Sequence, residues 1–218
     1  IGVRVIHQAN AGPAAARNTG VEHALGELVC FTDADCIPTP DWLSQMVAPF
    51  ENPEVVGVKG AYLCRKKQPV PRFVQQEFEY KYHALAKLPK IDFIDTYSAA
   101  YRKNIFLENG GFDPRFPVPS VEDQEFSFRL ARKGYHLAFQ PAAKVHHSHD
   151  LTLWQYIHRK WGIGYWKAFM LRWLPEKTLS DSYTPASQRA QIFLTAILIV
   201  ALGVSIFYPP LLWLALAA

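Results

Sequence analysis

The architecture of this chain is indicated most clearly by residues 28–35, Leu28-Val29-Cys30-Phe31-Thr32-Asp33-Ala34-Asp35. Its apolar first half is typical of a buried β-strand, and it ends in two carboxylates one residue apart. Because side chains alternate between the two faces of a strand, Asp33 and Asp35 are predicted to point the same way at the strand's carboxyl end. Open α/β sheets bind their ligands at that end of their strands.

The two carboxylates indicate a particular chemistry. They suit Mg²⁺ or Mn²⁺, which in proteins commonly takes one or two carboxylates together with substrate phosphates. We therefore predict a site for a divalent cation and a diphosphate at Asp33 and Asp35. A solvated turn after the strand is the alternative interpretation, because Asp is common in turns and helix caps.

The segments around this stretch alternate between strand-like and helix-like patterns. Strand character is predicted at residues 3–6, 28–31, 55–63, 93–101, 138–139 and 143–145. Helices are predicted at residues 14–25, 41–50, 72–88, 104–108 and 121–133, with Asp41 as one N-cap. This alternation predicts an α/β architecture whose sheet is mostly parallel and is flanked by helices.

A second acidic pair, Glu122 and Asp123, opens the helix predicted at 121–133, with Ser120 as its N-cap. One of these carboxylates would act as a general base towards an attacking hydroxyl, because it lies at a helix start beside aromatic side chains. The alternative is electrostatic stabilisation by the helix dipole, worth about 0.3–1 kcal/mol per carboxylate. Upstream, Gly110-Gly111 predicts a tight turn, which either lets the backbone approach a ligand or is purely structural.

Three histidines, His146, His147 and His149, follow the last predicted strand. Alternation places His147 and His149 on one face, and a neutral imidazole is a common metal ligand. His147 is therefore a candidate third ligand for the cation at Asp33 and Asp35. A polar loop with histidines facing water is equally compatible with this pattern.

The composition excludes several classes of protein. Of the 218 residues, 50% are hydrophobic and 14% aromatic, which excludes a disordered chain. The net charge of +4 comes without an RNA- or DNA-binding signature, so we expect no nucleic-acid partner. The three cysteines have no C-x-x-C spacing, which favours a reducing, cytosolic environment over a disulfide framework or a zinc site.

The carboxyl-terminal part has a different pattern. Residues 192–208 are almost wholly apolar and would span about 26 Å as a helix, near the lower limit for crossing a membrane. A second apolar run begins at Leu211, after Pro209-Pro210. A buried core helix is the alternative for the first run. The basic residues upstream predict that residues 1–190 lie on the cytoplasmic side.

Residues 153–174 are rich in Trp, Tyr, Lys and Arg. This composition predicts an amphipathic helix that lies on a membrane surface. A helix that packs on the preceding domain is the alternative, and the two are compatible. Gly162 and Gly164 weaken the helical pattern.

Six motifs in this order resemble those of the family-2 glycosyltransferases with the GT-A fold, over about residues 3–170. The motifs are Asn10 to Gly20, Ala24 to Asp35, Ala99 to Lys103, Gly110 to Asp113, Glu122-Asp123 and Val145 to His149. The resemblance implies a Rossmann-like α/β fold. It also implies inverting transfer of a sugar from a nucleotide-diphosphate sugar to a glycan or lipid-linked acceptor, for polysaccharide or cell-envelope synthesis.

The same resemblance implies roles for individual residues. Asp33 and Asp35 would bind Mg²⁺ or Mn²⁺ on the donor diphosphate, with His147 near the metal and His149 a less certain second. Asp123 would be the base that deprotonates the acceptor hydroxyl, with Glu122 beside it. The donor-binding residues implied are Arg17, Asn18, Asp33 and Gly111.

The chain also departs from the family pattern. The family's first strand is expected before Ile1, so we interpret the chain as truncated at its amino end. Gln155, Arg159 and Trp161 resemble the Q-x-x-R-W motif of processive members only with shifted spacing, which favours a single transfer. Two other classes stay open: a non-catalytic sugar-nucleotide-binding or scaffold module, and a metal-dependent hydrolase or nucleotidyltransferase.

The predicted organisation has three parts. Residues 1–150 form the catalytic GT-A domain, residues 151–190 form interfacial amphipathic helices and a linker, and residues 191–218 form one or more transmembrane segments. The expected location is the cell membrane, with the catalytic domain in the cytoplasm.

Overall fold

The computed structural model describes residues 4–178, 181–182 and 184–205. The strands are β1 (Leu28–Thr32), β2 (Cys36–Pro38), β3 (Val55–Leu63), β4 (Ser98–Arg102) and β5 (His136–His147). The helices are α1 (Gly12–His23), α2 (Trp42–Val47), α3 (Pro69–Leu85), α4 (Lys103–Glu108), α5 (Glu122–Arg132), α6 (Leu153–Met170) and α7 (Ala186–Ser205). Short 3₁₀ helices occupy Ala48–Glu51 and Pro175–Thr178.

The five strands form one mixed sheet in the order β1-β4-β3-β5-β2. Only β3 and β5 pair in parallel, whereas β4 runs antiparallel to both β1 and β3, and β2 runs antiparallel to β5. The prediction of a mostly parallel sheet is therefore wrong. The alternation of strands and helices does not show in which direction each strand runs. After α3 the chain enters β4 at the edge of the sheet where β3 ends, so β4 runs antiparallel to β3.

These directions decide where functional side chains collect. Strands β1, β3 and β5 share one direction, so their carboxyl ends lie at the same edge of the sheet. Strand β4 runs the other way and begins at that edge, where Ser98 pairs with Thr32 at the end of β1. The segments that follow β1, β3 and β5, and the segment before β4, therefore meet at one edge.

Hydrophobic cores cover both faces of the sheet. One core centres on aromatic residues Tyr101, Phe106, Phe112 and Phe126, which are all fully buried. The other holds Trp42, Met46 and Phe50 from α2 and the 3₁₀ turn that follows it. At about 1.5–3 kcal/mol for each large side chain removed from water, these cores hold the helices against the sheet.

Several predicted elements differ from those in the structure. Residues 4–6 form no strand, and Val3 lies outside the described residues. Strand β4 occupies only the end of the extended segment predicted at 93–101. The two short strands predicted at 138–139 and 143–145 are one strand, β5, whose pairing with β3 shifts register between Lys59 and Ala61.

Helix ends also correct the prediction. The N-cap of α5 is Val121, so the prediction of Ser120 as N-cap is wrong. The backbone N–H of Ser120 instead donates to Oε2 of Glu122 at 2.9 Å. Asp41 precedes α2 as predicted, but its side chain makes no capping hydrogen bond. Helix α6 continues through Gly162 and Gly164, and its capping box joins Thr152 and Gln155.

The chain divides into two compact units, Ile1–Tyr183 and Thr184–Ala218. In the first unit α6 packs through Met170 against a core that includes Phe116 and Phe128. The opposite side of α6 exposes Leu153, Trp154, Ile157, Trp161 and Tyr165. The helix therefore packs on the sheet-containing unit and also presents an apolar, aromatic surface to solvent.

The second unit contains α7, a helix of 20 residues with a mean hydropathy of 1.6 over its most apolar window. None of that window is buried. By length and composition alone, α7 is able to cross a membrane. The rest of the predicted span, and the second apolar run at 211–218, lie outside the described residues.

Candidate active site

The first acidic pair lies in the turn between β1 and β2. Residues 33–35 follow the last residue of β1, and the backbone N–H of Cys36 donates to the carbonyl of Asp33 at 3.0 Å. Strand alternation therefore does not describe this pair, and the two carboxylates have different partners. Asp33 pairs with Arg17, whereas Asp35, whose side chain is 68% exposed, lies against His147.

Arg17 joins the two acidic parts of the site. Its Nη2 donates to Oδ1 of Asp33 at 3.2 Å, and its Nη1 donates to Oε1 of Glu122 at 2.7 Å. Burial opposes the charge of Arg17, but the carboxylates of Glu122, Asp123 and Asp33 raise its pKa above the usual value. The strand-end and helix-start carboxylates therefore lie close together, within reach of a single guanidinium.

Glu122 and Asp123 have different surroundings despite being neighbours in sequence. Both oxygens of Glu122 are hydrogen-bonded, one to Arg17 and the other to the backbone of Ser120, and its side chain is 3% exposed. Asp123 is half-buried, and its Oδ2 accepts from the backbone N–H of Thr96 at 3.1 Å. Of the two carboxylates, Asp123 is the one with surface left for a substrate.

The pKa of Asp123 is shifted towards neutrality. Burial and, next, the negative charge of Glu122 raise the pKa of Asp123 to about 7, against the lowering effects of the hydrogen bond from Thr96 and the charge of Arg17. A general base works best when its pKa lies near the working pH. Near neutral pH Asp123 therefore exists partly as a carboxylate, and that carboxylate can accept a proton.

Two of the predicted histidines, His147 and His149, form a chain of polar contacts from Asp35 to α3. Nε2 of His147 lies 3.2 Å from Oδ2 of Asp35, and Nδ1 of His147 lies 2.9 Å from Nδ1 of His149. Nε2 of His149 in turn lies 3.0 Å from Oε1 of Gln75 on α3. Burial lowers the pKa of His149 to about 4, which keeps its ring neutral. His147 is therefore held beside Asp35 rather than pointing freely into water.

The donor atoms at this edge fit a divalent cation in part. Asp35 and His147 converge, and their oxygen and nitrogen atoms are ligands that Mn²⁺ accepts. Asp33 stands close by but is paired with Arg17. Across residues 4–178, 181–182 and 184–205, no three side chains are already arranged as a metal site. Two preformed ligands with open positions suit a cation that shares its coordination with phosphates.

Asn18, the residue after Arg17 on α1, holds the turn that contains Gly111. The side-chain amide of Asn18 donates to the carbonyl of Phe112 at 2.8 Å and accepts from its N–H at 2.9 Å. Gly111 has φ +60°, and a β-carbon there would lie 2.6 Å from Oδ1 of Asn18. The structure thus shows Asn18 fastening the glycine turn, and contact of either residue with a donor stays a prediction.

Sequence reasoning missed three residues that hold the site together. Thr96 donates a hydrogen bond to Asp123, and Gln75 contacts His149. The ring of Tyr62 lies 4.8 Å from that of His147. Thr96 and Gln75 lie in segments without a recognisable motif. The sequence predicts Tyr62 in the strand at 55–63, and its position next to the carboxyl end of that strand is the signal that indicates a place near the site.

Comparison with known proteins identifies the family. The sequence model of "Glycosyl transferase family 2" matches residues 1–110. The chain belongs to glycosyl transferase family 2, and its fold is GT-A with a mixed sheet. The resemblance inferred from the six motifs is thereby confirmed.

Individual relatives agree with this assignment. The chain is 30% identical over 165 residues to "Pre-mycofactocin glycosyltransferase" of Mycobacterium tuberculosis, covering 72% of this chain and 35% of the relative. It is 29% identical over 114 residues to "Glucosyl-dolichyl phosphate glucuronosyltransferase" of Haloferax volcanii, covering 48% of this chain and 35% of the relative. The chain therefore spans about a third of the length of these curated relatives.

A solved structure shares the fold. The crystal structure of GalNAc-T7 with UDP, GalNAc and Mn²⁺ superposes with a TM-score of 0.50 at 17% identity, covering 66% of this chain and 32% of that one. At this level of identity the likeness concerns the arrangement of helices and strands.

Proposed function

We propose that the protein transfers a sugar from a nucleotide-diphosphate sugar to a glycan or lipid-linked acceptor, with inversion at the anomeric carbon. The reaction depends on Mg²⁺ or Mn²⁺ and takes place at the cytoplasmic face of a membrane. Family membership supports glycosyl transfer. The side chains that meet at the edge of the sheet where β1, β3 and β5 end support the roles of individual residues.

One observation carries the proposal, which is the pairing of Arg17 with both Asp33 and Glu122. Sugar transfer needs a donor diphosphate and an activated acceptor hydroxyl in one cleft. The turn after β1 supplies carboxylates suited to a cation and a diphosphate, and the start of α5 supplies Asp123 next to Glu122. Because one guanidinium spans both parts, they are close enough to act on opposite sides of one sugar.

Asp123 is the general base in this proposal. Its carboxylate accepts the proton of the acceptor hydroxyl while that oxygen attacks the anomeric carbon and the bond to the diphosphate breaks. A single displacement of this kind inverts the anomeric configuration. Proton transfer of this type contributes about 10²- to 10⁴-fold to a rate. Glu122 acts as a positioning residue, because Arg17 and Ser120 occupy its oxygens.

Asp35 and His147, together with Asp33, would hold the divalent cation. When bound there, the cation would neutralise charge on the departing diphosphate, which is worth several kcal/mol of transition-state stabilisation. Arg17 remains beside Asp33 as a further positive charge towards the same group. Asn18 and Gly111 shape the adjoining wall of the donor site.

Two features support a location at a membrane. The exposed side of α6 carries Trp154 and Trp161, which are 74% and 79% exposed, and such residues prefer the membrane interface. Helix α7, described by itself, is long and apolar enough to anchor the chain. Quenching of tryptophan fluorescence by bromolipids in vesicles tests this: Trp161→Phe should remove much of the quenching, whereas Trp42→Phe, a buried control, should not. Equal quenching in the two variants would argue against the interface role.

The catalytic proposal is tested by release of nucleoside diphosphate from a panel of sugar nucleotides, with the complete protein, Mn²⁺ and membrane lipid extract as acceptor source. We expect Asp123→Asn to reduce turnover by about 10²-fold or more. The variant should retain Mn²⁺-dependent binding of the donor, measured by calorimetry. Asp41→Asn, an exposed carboxylate without a side-chain hydrogen bond, is the matched control.

Other outcomes distinguish the remaining classes. Donor binding without turnover by the wild-type protein would indicate a scaffold module. Free sugar or a transferred nucleotide, instead of a glycoside, would indicate a hydrolase or a nucleotidyltransferase. Full turnover by Asp123→Asn would remove the assignment of the base.

A further inference from the structure

A basic cavity lies beside the proposed reaction centre. Its volume is about 420 Å³, and it opens where β3 ends and α3 begins. Four cationic residues line it, namely Arg65, Lys66, Lys67 and Arg72. The motifs read from the sequence do not cover this segment, and the proposed transfer chemistry makes no use of it.

The positive charge of the cavity is largely uncompensated. In the part of the chain that the structure describes, no carboxylate pairs with Lys66, Lys67 or Arg72. Arg65 lies 2.9 Å from the imidazole Nε2 of His146, which supplies no negative charge. The lining includes one carboxylate, Glu79, and its two oxygens accept from Gln75 and Gln76 at 3.0 and 3.1 Å. The cavity therefore holds a formal excess of three positive charges.

The cavity shares a wall with the active site. Gln75 lines the cavity and also contacts His149, whose neighbour His147 lies against Asp35. Two imidazoles thus separate the cavity from the carboxylate proposed to bind the donor's cation. An anion in the cavity would consequently be a second anionic group, distinct from the donor diphosphate.

We propose that this cavity binds the phosphate or diphosphate group of the acceptor, which deepens the proposed function and rests on it. Several Lys and Arg side chains around one cavity match a group with two or three negative charges better than a single carboxylate. The amino-terminal end of α3, a helix of 17 residues, adds positive potential on the same side. The cavity would place the acceptor's anionic end beside the cleft that contains Asp123.

The test measures binding of inorganic pyrophosphate by calorimetry with the complete protein in EDTA, so that Asp33 and Asp35 hold no cation. We expect binding that weakens as salt is added. The double variant Lys66→Ala/Lys67→Ala should weaken it about fivefold or more, because it removes two of the four cations that line the cavity. The double variant Lys87→Ala/Lys90→Ala, which removes two exposed lysines elsewhere, should bind as the wild type does.

Farnesyl diphosphate, compared with inorganic pyrophosphate and farnesol, distinguishes the sources of the group. Tighter binding of farnesyl diphosphate that Lys66→Ala/Lys67→Ala weakens supports a lipid-linked acceptor. Equal binding of farnesyl diphosphate and pyrophosphate supports a water-soluble phosphorylated acceptor. Absence of pyrophosphate binding by the wild-type protein, or equal affinity in the wild type and Lys66→Ala/Lys67→Ala, overturns the proposal.

A further variant keeps this inference separate from the proposed function. Asp33→Asn should lose Mn²⁺-dependent binding of a nucleoside diphosphate but retain pyrophosphate binding in EDTA. Loss of nucleotide binding therefore reports on the metal site, whereas loss of pyrophosphate binding in Lys66→Ala/Lys67→Ala reports on the cavity.

Discussion

The guanidinium of Arg17 donates from Nη1 to Oε1 of Glu122 at 2.7 Å, although 105 residues separate the two in sequence. The same guanidinium contacts Asp33 at 3.2 Å. Helix α1 thereby joins the turn after β1 to the start of α5. Without this cation, the buried carboxylate of Glu122 would face Asp33 and Asp123 with no compensating charge.

Arg17→Ala should therefore affect both stability and the pH dependence of activity. Loss of the hydrogen bond to the buried Glu122 should lower the free energy of unfolding by about 1–3 kcal/mol, as measured by urea denaturation. Because Arg17 acts to lower the pKa of Asp123, its removal should move the acidic limb of the pH–rate profile to higher pH. Arg132→Ala, which removes an exposed ion pair with Glu176 at 3.8 Å, is the control and should change neither property. An unshifted profile in Arg17→Ala would contradict the electrostatic link.

The pKa of Asp123 predicts opposite effects of pH on activity and stability. A general base must be deprotonated, so turnover should rise with pH up to about 7 and then level off. The carboxyl pKa is about 7 in the folded protein against 3.8 for the unperturbed group, so between those values the folded state holds a proton that the unfolded chain has released. The free energy of unfolding should therefore fall as pH rises through this window.

Thermal unfolding of Asp123→Asn at pH 5 and pH 8 measures the second effect. The amide cannot ionise, and it can still accept the hydrogen bond from Thr96. We expect the variant to be stabilised relative to wild type more at pH 8 than at pH 5, although it loses turnover at both. A stability difference that does not vary with pH would show that Asp123 titrates normally.

The glycine turn offers a matched pair of substitutions. Gly110 and Gly111 both have positive φ, at +75° and +60°, but only at Gly111 would a β-carbon meet Asn18 and Phe106. Gly110→Ala should cost about 1–2 kcal/mol of stability for the left-handed conformation. Gly111→Ala should cost more and should also weaken donor binding, because it displaces Asn18 beside Arg17. Equal losses of stability in a urea titration would mean that the turn has room to adjust.

The sequence predicted those parts of the fold that depend on local pattern. It predicts helices close to α1, α3 and α5: residues 14–25 are good helix formers before Gly26, residues 72–88 have apolar side chains at helical spacing, and residues 121–133 are followed by Gly134. The direction of β4 was not predicted, because a strand's direction depends on how a distant connection returns to the sheet. Pairing of β1 with β4 brings Leu28 opposite Arg102, and no spacing within either segment indicates this contact.

The candidate site was predictable where carboxylates or histidines cluster in sequence. Asp33, Asp35, Glu122, Asp123 and His147 were all identified in this way. Thr96, Gln75 and the lysines of the basic cavity were not, because they come near these residues only when the segments following β1, β3 and β5 meet the segment before β4. The different partners of Asp33 and Asp35 also depend on tertiary structure, since Arg17 and His147 reach them from α1 and β5.

A buried ion pair, Lys59 with Asp95, lies next to the site. The ammonium group of Lys59 on β3 is fully buried, contacts the carboxylate of Asp95 and lies 3.3 Å from the hydroxyl of Tyr97. Asp95 immediately precedes Thr96, whose backbone N–H binds Asp123. The pair therefore anchors the segment on which the proposed base depends, from within the core of the sheet.

Lys59→Met should destabilise the protein by about 3–5 kcal/mol, because the carboxylate of Asp95 would be left buried without its cation. Lys59→Met/Asp95→Asn should recover much of this loss, since neither charge then remains in the core. If the anchor also positions Asp123, the double variant should retain donor binding and show a lower kcat with little change in KM. If Lys59→Met/Asp95→Asn has full stability and an unchanged kcat, the pair contributes to folding alone. If Lys59→Met is as stable as the wild type, the carboxylate of Asp95 is hydrated once Lys59 is removed, and the expected loss of stability is wrong.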